Sequence, residues 1–492
     1  MPPSATDIIR ARRAKEKGPP FEPGPRRVLL LYPSPYRAGM SSLGFQWIHG
    51  VLAGQGFAVE RAFLPDDPDD RSPLLSYETL SPVGSFPVIG VSLAYELELA
   101  GLIRALTLAG IPPLRKDRGP FHPRLILGGP LTFSNPLPAA PYADLILLGE
   151  AEEVVGPAME LALDRQDWLS EAAGLPGALV CESLADDAGF SDIPAVAKAT
   201  DALLPARSRI VTPDAELSDM FLLEGERGCH RSCTFCVMRR STNGGMRLVD
   251  PERLMSLVPD YAPRVGLVGA AISDHPRLVD LLGALIEAGK GVGISSLRAD
   301  RVALKPDIAR LLRQGGYSTL TVASDAASQR LRRTLSKGTT EAHLLRCAEL
   351  AAEHRYRVLK VYMMLGLPTE GPDDIEELIR FSAELAKIHP VALGIAPFVP
   401  KHNTPLWNAG FAGQAAVDAQ LRVLQKGLRR HRVEVRATSS RWAWVEAVLA
   451  QGTPRTGEAV LSAVQAGGSF ADYRRAFGER VPGVVEALGR AA

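Results

Sequence analysis

The 492-residue sequence predicts an α/β protein with a Rossmann-like doubly wound sheet, then a six-unit partial (β/α) barrel, then a small helical C-terminal extension. Strand-like apolar runs alternate with helix-like periodicity, which is typical of βαβ units and parallel sheets. The runs are continuously apolar, as in sheets that are covered on both faces. The alternation occurs in two series separated by an irregular stretch, which indicates two domains.

The first series predicts a Rossmann-like domain over residues 26–165. Its apolar runs predict strands at 26–34, 57–64, 88–93, 125–130 and 143–150. The first 25 or so residues are polar and contain prolines, so we expect them to be disordered or loosely attached. The stretch 166–218 is rich in Pro and Asp and predicts a linker.

The second series predicts the partial barrel over residues 219–410. It opens at MFLLEGERG (220–228), and further strands are predicted at 265–271, 291–297, 318–324, 357–368 and 392–400. Six units are fewer than the eight of a closed (β/α)8 barrel, so we expect the barrel to be open. Residues 411–492 are predicted to form the helical extension.

Composition excludes several classes of protein. Hydrophobic residues make up 46% of the chain and charged residues 23%, which is ordinary for a folded domain. The 56 Lys and Arg nearly balance the 55 Asp and Glu, so nothing favours tight nucleic-acid binding. The N-terminus lacks a signal-peptide pattern, and no run approaches the length of about 20 apolar residues that a membrane span needs. We therefore expect a cytoplasmic protein without a membrane or nucleic-acid partner.

Three of the five cysteines, Cys229, Cys233 and Cys236, lie directly after the first predicted barrel strand with the spacing C-x3-C-x2-C. A structural zinc site needs four ligands, usually in two pairs. An iron–sulfur cluster usually takes four thiolates, and three would leave one iron of a [4Fe–4S] cluster open to a cofactor or substrate. Unligated loop cysteines are the third reading, although clustered cysteines usually bind metal.

The stretch ERGCHRSCTFC resembles the signature of the radical SAM superfamily, with Phe235 as the aromatic residue before the last cysteine. The resemblance implies that the three cysteines hold a [4Fe–4S] cluster whose open iron binds the amino and carboxylate groups of S-adenosylmethionine. It implies reductive cleavage of the sulfonium to a 5′-deoxyadenosyl radical, which is chemistry that a cofactor must carry. An electron donor such as flavodoxin or ferredoxin is implied as the partner.

Other barrel positions resemble the segments that contact S-adenosylmethionine in that family. Gly269, in GLVGAAISD, would approach the methionine amino group through its backbone, although no acidic residue stands at the position where that family often has one. Ser296 and Arg298 follow the third strand and are expected near the ribose or the carboxylate. Ser324 follows the fourth strand, and Asp325 stands where related sequences often have Glu. The catalytic residue is unknown.

The segments GLPTE (366–370) and APFVPKHNTP (396–405) resemble the last barrel segments, which line the adenine end and the substrate mouth in that family. For each of these barrel residues taken singly, ordinary packing explains its presence equally well.

The first domain resembles the cobalamin-binding domain that precedes many radical SAM barrels. Gly128, Gly129 and Gly149 follow its fourth and fifth strands, where backbone could approach a large flat cofactor closely. Tight βα turns are the alternative reason for these glycines. Many cobalamin domains have a cobalt-ligating His in the loop after the first strand, where Tyr36 stands here. The resemblance therefore implies cobalamin bound without a His ligand, or a domain that has lost the cofactor.

These observations predict a cobalamin-dependent radical SAM enzyme, with methyl transfer to an unactivated carbon as the expected reaction. The alternatives are a radical SAM enzyme without functional cobalamin, catalysing rearrangement, cyclisation or sulfur insertion, and a non-enzymatic cobalamin or redox sensor. Sulfur insertion is disfavoured because methylthiotransferases need N-terminal cysteines for a second cluster, and no cysteine precedes Cys181. A sensor would not need an open iron. The substrate does not follow from the sequence.

Overall fold

The computed structural model describes residues 4–238, 245–295 and 297–490. They form two compact units. The first takes in the chain up to Leu222 together with Val448–Val484, and the second takes in Leu223 to Ala447 and the residues from Val485 onward. Each is built on mainly parallel strands and helices, so the predicted fold class is confirmed, whereas the predicted domain boundaries stay a prediction.

The strands are β1 (Arg27–Pro35), β2 (Ala58–Leu64), β3 (Val88–Ser92), β4 (Arg124–Gly128), β5 (Leu145–Leu147), β6 (Ala178–Val180), β7 (Met220–Glu224), β8 (Glu226–Cys229), β9 (Gly245–Leu248), β10 (Arg264–Val268), β11 (Gly291–Ile294), β12 (Leu297–Arg298), β13 (Thr319–Asp325), β14 (Val358–Leu365), β15 (Val391–Pro397) and β16 (Val433–Ala437).

The helices are α1 (Ala5–Arg13), α2 (Tyr36–Gly39), α3 (Leu43–Gly54), α4 (Glu98–Leu108), α5 (Val155–Asp164), α6 (Trp168–Ala172), α7 (Pro251–Ser256), α8 (Leu278–Glu287), α9 (Ala299–Leu304), α10 (Asp307–Gln314), α11 (Gln329–Thr334), α12 (Glu341–Glu353), α13 (Pro372–Ile388), α14 (Gln414–Leu428), α15 (Ser440–Ala450), α16 (Pro454–Gln465), α17 (Phe470–Arg480) and α18 (Pro482–Arg490). In the described part of the chain, no helix is long and apolar enough to cross a membrane.

The sheet of the first unit has the strand order β2-β1-β3-β4-β5-β6. All neighbours pair in parallel except β6, which runs antiparallel to β5. The strand order reverses between β1 and β3, which makes that point the topological switch, where ligands of doubly wound sheets bind. The stretch predicted as a linker contributes α6 and β6 to this unit.

The N-terminal segment is ordered, so the prediction of disorder was wrong. A capping box of Ser4 and Asp7 starts α1, and Glu16 then reaches Arg61 on β2. The Arg61 side chain is only 2% exposed, and its guanidinium lies 2.8 Å from Glu16 and 2.7 Å from Glu78. A buried charge without partners would be strongly destabilising, so this triad ties the N-terminal segment to the sheet edge. A polar composition alone could not reveal that partner.

A helix from the C-terminal region completes one face of the same sheet. The connection from β4 to β5 contains only short 3-10 turns, and α16 packs against the turn Leu137–Tyr142 and against α4. The Tyr142 hydroxyl donates to the carbonyl of Gly457 at 2.6 Å. A Cβ at Gly457 would lie 2.0 Å from the Pro138 carbonyl oxygen, so glycine is required there by close approach.

The strands of the second unit form two sheets in the described residues, with the orders β11-β10-β7 and β12-β13-β14-β15-β16. Neighbours in the second of these sheets pair in parallel, and β8 and β9 form a separate antiparallel hairpin. The strand β16 was missed in the region predicted as helical. Its sequence VEVRA is short and half polar, and only pairing with β15 makes it a strand.

We expect Gly457→Ala to lower the melting temperature. Alanine favours a helix by up to about 1 kcal/mol, but its methyl group would collide with the Pro138 carbonyl, at a cost of about 1–3 kcal/mol. Gly478→Ala in α17 is the matched control, because its Cβ would meet nothing within 4 Å, and we expect it to leave the melting temperature unchanged or higher. Equal effects of the two substitutions in calorimetry would show that α16 does not pack as described.

Candidate functional site

The three clustered cysteines lie on a loop that begins where β8 ends. Gly228 has φ +89, a conformation that favours glycine, and it turns the chain immediately before Cys229. Cys229 pairs with Gly245 at the end of the β8–β9 hairpin. From there the loop runs through Cys233 to Cys236, and all three cysteine residues are partly buried. The prediction that this loop follows the first strand of the second series therefore agrees with the structure.

The cysteine loop is held at one end by a buried carboxylate. Asp274, in the turn after β10, has a fully buried side chain and accepts two hydrogen bonds from Arg231, at 2.7 and 2.6 Å. It also accepts one from Arg301 at 2.5 Å. Burial disfavours the ionised form of Asp274, but the hydrogen bonds from the two arginines outweigh it and lower the pKa of this carboxyl group. The ion cluster therefore fixes the loop to the second unit.

The other end of the loop is held by main-chain contacts. The Thr234 N–H donates to the Leu335 carbonyl at 3.1 Å, and the Cys233 thiol lies 3.9 Å from the Ser336 carbonyl. The Cys236 N–H donates to the Cys233 carbonyl at 3.4 Å. With Asp274 at one end and the segment after α11 at the other, the loop has little freedom to collapse.

The donor set suits an iron–sulfur cluster better than a single ion. In the described residues, no group of three or more His, Cys, Asp or Glu side chains could hold one metal ion. Each thiolate of a [4Fe–4S] cluster binds a different iron, so the sulfurs need not converge on one point. The Arg231 N–H lies 3.4 Å from the Cys229 sulfur, and such hydrogen bonds tune clusters. The three clustered cysteines are one short of the four ligands that a structural zinc site needs.

Burial favours the protonated form of two of the clustered thiols. Burial raises the pKa of Cys229 above its usual value, although the Arg231 N–H partly offsets this. Burial likewise raises the pKa of Cys236. Metal ligation requires thiolates, so loading a cluster would release protons here.

The turn after β10 shows why residue 269 is glycine. A Cβ at Gly269 would lie 2.3 Å from Oε1 of Glu226, and the same oxygen accepts a hydrogen bond of 2.6 Å from the Ala271 N–H. Burial raises the pKa of Glu226 to about 7. An acidic side chain from β8 thus reaches this turn, and sequence reasoning missed it because the two segments are far apart in the chain. The turn leaves Ala270 exposed.

The other predicted barrel residues are mostly buried. Arg298 is 8% exposed and donates to the Lys337 carbonyl at 2.7 Å. Ser324 is fully buried and its hydroxyl donates to the Ala326 carbonyl, so packing accounts for it and the predicted cofactor contact finds no support. Asp325, with φ +65, pairs with Lys337. Ser296 lies outside the described residues.

In the first unit, the predicted loops meet at one edge of the sheet. β1, β3, β4 and β5 are parallel, so the loops after them all lie at the carboxyl edge. In this edge, Ser34 donates to Glu98 at 3.4 Å, and Tyr95 in the turn after β3 is 48% exposed. Tyr95 therefore follows one of the two strands, β1 and β3, between which the strand order reverses.

Two of the three glycines at this edge are explained by the chain itself. Gly129 has φ +105 and its Cβ would lie 2.5 Å from the Leu93 carbonyl oxygen; Gly149 has φ +91 and its Cβ would lie 2.6 Å from that of Ala197. At Gly128 a Cβ would meet only the Leu147 carbonyl oxygen at 3.6 Å, which is ordinary contact. Tight turns therefore account for Gly129 and Gly149, and a cofactor contact by any of the three stays a prediction.

The structure does not support a cofactor contact by Tyr36. Its side chain is completely buried, and its ring stacks on Tyr77 with centroids 4.9 Å apart. Its hydroxyl donates to Glu16 at 2.7 Å. Burial raises the pKa of this phenol, so it stays neutral. Tyr36 thus lies in the core and hydrogen-bonds to Glu16, the carboxylate that also pairs with Arg61.

Comparison with known families matches both halves of the chain. Residues 44–180 match the family described as radical SAM proteins, N-terminal, and residues 225–382 match the radical SAM superfamily. The second match begins four residues before Cys229 and contains all three clustered cysteines.

Among curated proteins, an uncharacterised protein of Methanocaldococcus jannaschii is 27% identical over 438 residues, which is 87% of this chain and 89% of that protein. The ribosomal protein uS12 methylthiotransferase RimO of Desulfosudis oleivorans is 28% identical over 203 residues, 38% of this chain and 45% of that protein.

Among solved structures, the radical S-adenosylmethionine methyltransferase TsrM of Kitasatospora setae, with cobalamin and a [4Fe–4S] cluster bound, matches with a TM-score of 0.56 at 15% identity. The match covers 78% of this chain and 74% of that one. The cobalamin-dependent radical enzyme OxsB, with aqua-cobalamin and S-adenosylmethionine bound, matches with a TM-score of 0.52 at 12% identity, covering 94% and 72%. At these identities the likeness shows a shared fold.

We expect Asp274→Asn to lower the iron and sulfide content after anaerobic reconstitution. The substitution removes the charge that pairs with Arg231 and Arg301. We expect this to destabilise the anchored conformation of the cysteine loop by about 1–3 kcal/mol. Asp280→Asn is the control, because Asp280 pairs with Arg277 on an exposed helix. Equal cluster content in both variants would contradict the anchoring role of Asp274.

We expect Glu370→Gln to change how stability depends on pH. Glu370 accepts a hydrogen bond from the Gly366 N–H at 2.6 Å, and burial raises its pKa to about 7. An unfolded Glu loses its proton near pH 4.5, so the folded state binds more protons between those values and loses stability as pH rises to about 7.

The Glu370→Gln side chain still has an oxygen that can accept the hydrogen bond from the Gly366 N–H, but it does not ionise. The variant's melting temperature relative to the wild type should therefore be higher at pH 8 than at pH 5. Glu376→Gln, on the exposed face of α13, is the control. A difference between Glu370→Gln and wild type that does not change with pH would contradict the buried titration.

Proposed function

Because the chain belongs to the radical SAM superfamily, we propose that it is a cobalamin-dependent enzyme that transfers a methyl group from S-adenosylmethionine to an unactivated carbon. The radical SAM domain implies a [4Fe–4S] cluster and S-adenosylmethionine as cofactors. The proposal also covers the residues that hold these cofactors, the role of cobalamin beside them, and the reaction that follows.

The observation that carries the proposal is the anchored loop with three clustered, partly buried cysteines. We assign Cys229, Cys233 and Cys236 as the ligands of the cluster. When bound, the cluster would supply the electron that splits the sulfonium of S-adenosylmethionine. Of the chain's own residues, Asp274 holds the loop through Arg231, and the exposed residue Ala270 lies in the same turn as Asp274.

Cobalamin is proposed for the first unit. Its support is the shared fold with two cobalamin-binding enzymes, the exposed Tyr95 ring and the uncrowded backbone at Gly128. The loop from Ser34 to Gly39 contains no His, and Tyr36 is buried in the core. We therefore expect cobalamin to bind without a ligand from that loop, held by contacts to its corrin ring and side chains.

The alternatives remain distinct in what they require. A radical SAM enzyme without functional cobalamin would use the second unit alone. Sulfur insertion would require further cluster ligands, and the two remaining cysteines, Cys181 and Cys347, are buried. A non-enzymatic sensor would not turn over S-adenosylmethionine. A reductant such as flavodoxin or ferredoxin is proposed as the partner that supplies electrons.

The cluster assignment predicts that the triple variant Cys229→Ala, Cys233→Ala, Cys236→Ala incorporates no iron or sulfide during anaerobic reconstitution. Cys181→Ala, which alters a buried cysteine, should incorporate as much as the wild type. A triple variant that still holds four irons per chain would refute the assignment.

The reaction is tested by the products made from S-adenosylmethionine by reconstituted, reduced protein, with and without added cobalamin. Loss of a methyl group leaves S-adenosylhomocysteine, whereas reductive cleavage leaves 5′-deoxyadenosine and methionine. We expect S-adenosylhomocysteine only when cobalamin is present. Formation of 5′-deoxyadenosine alone in both cases would leave a radical SAM enzyme without cobalamin, and no product at all would favour the sensor.

A further inference from the structure

The sheet β12–β16 has two faces of opposite character. One face consists of apolar residues that are at most 3% exposed: Leu320, Val322, Leu359, Val361, Leu393 and Ile395. The residues that alternate with them are small or polar. Parallel register places Ala323, Tyr362, Gly394 and Arg436 in one row across four strands, with Thr321, Lys360, Ala392 and Glu434 in the next. We call this second side the open face.

The inner face of a closed barrel is filled with bulky branched side chains. The open face instead has Ala323 and Gly394 on either side of Tyr362, and Tyr362 is 39% exposed in the middle of its strand. An exposed aromatic ring between two small neighbours leaves space above the sheet. Aromatic rings with little side-chain entropy to lose are common anchors in binding sites.

Gly394 determines how the Tyr362 ring lies. A Cβ at Gly394 would be 2.9 Å from Cδ1 of Tyr362 and 3.4 Å from Cε of Lys360. The ring therefore crosses the backbone of the neighbouring strand where any side chain would displace it. One side of the ring is covered by the sheet, and the exposed remainder can stack against a planar group.

Lys360 gives the open face an uncompensated positive charge. Its ammonium lies 3.1 Å from the Tyr362 hydroxyl and 4.7 Å from the centre of that ring. In the described part of the chain no carboxylate lies within ion-pair distance of it. By contrast, Arg436 is paired with Glu434 at 2.7 and 2.8 Å, and Asp325 is paired with Lys337.

We propose that the open face binds the substrate, and that the substrate is a small molecule with a planar unsaturated ring that bears an anionic group. The ring stacks on Tyr362, and the anion pairs with the Lys360 ammonium. These residues are two apart on β14, or about 7 Å along the strand, which suits one compact molecule. This inference rests on the proposed function, because it names the substrate class of that enzyme.

The test uses three matched probes on the reconstituted full-length protein: 2-naphthoate, its neutral amide 2-naphthamide, and the saturated acid cyclohexanecarboxylate. Saturation-transfer NMR titration measures each affinity. Because the proposed site pairs Lys360 with an anion and stacks Tyr362 on a planar ring, a probe needs both a carboxylate and an aromatic ring to bind fully. We therefore expect 2-naphthoate to bind at least about fivefold more tightly than either of the others. Equal affinity for 2-naphthoate and 2-naphthamide would overturn the role of Lys360.

Variants separate the two contacts. Lys360→Met should reduce 2-naphthoate affinity to that of the amide, whereas Lys360→Arg should retain most of it. Tyr362→Leu should weaken binding and Tyr362→Phe should preserve stacking. Gly394→Ala should weaken binding by displacing the ring. Lys387→Met, which removes the same charge from an exposed position on α13, is the control and should have no effect. An equal effect of Lys387→Met would overturn the site.

Two further outcomes keep this inference separate from the proposed function. If the wild type consumes S-adenosylmethionine but binds none of the probes, the substrate class is wrong and the function stands. If it binds 2-naphthoate through Lys360 but consumes no S-adenosylmethionine, the function is wrong and the binding site stands. A single-stranded oligonucleotide that binds through Lys360 while 2-naphthoate does not would overturn the small-molecule class.

Discussion

The candidate site depends on the buried carboxylate of Asp274. Its three hydrogen bonds, to Arg231 and Arg301, connect the cysteine loop to the turn after β10 and to α9. In the proposed function this loop presents three sulfurs to separate irons, and ordering each ligand adds a cost. With the loop also held at Thr234 by the Leu335 carbonyl, that cost is met by folding and not by cluster binding.

Several features that suggest ligand binding in the sequence turn out to serve the chain itself. Gly269 makes room for Glu226, Gly129 and Gly149 make room for backbone carbonyls, and Tyr36 helps to bury Arg61. Each of these residues has a packing reason that is complete without a ligand. Two aromatic rings stay exposed at the surface of their units: Tyr95 after β3, and Tyr362 on β14 beside Lys360, which pairs with no carboxylate of the described residues.

The proposed chemistry places different demands on the two units. The second unit would have to hold a cluster rigidly, and the cysteine loop is anchored at both ends by Asp274 and by the Leu335 carbonyl. The first unit must offer a broad edge to a large cofactor, and its carboxyl edge does so while α16 secures one face of its sheet. In both units the binding features lie at strand ends or on an uncovered sheet face, where parallel sheets leave room for ligands.

The sequence by itself determined the fold class, most strands and the metal-binding motif, because alternating apolar runs and cysteine spacing are local signals. It predicted β1 to β5 and the main barrel strands, and it singled out Cys229, Cys233 and Cys236. Tertiary structure alone decided the features that join distant segments: the ordered N-terminus held by Arg61, the return of α16, the strand β16, and the supply of Glu226 to the turn at Gly269. These features arise from burial and from pairing between distant segments, and the local residue pattern of one segment predicts neither.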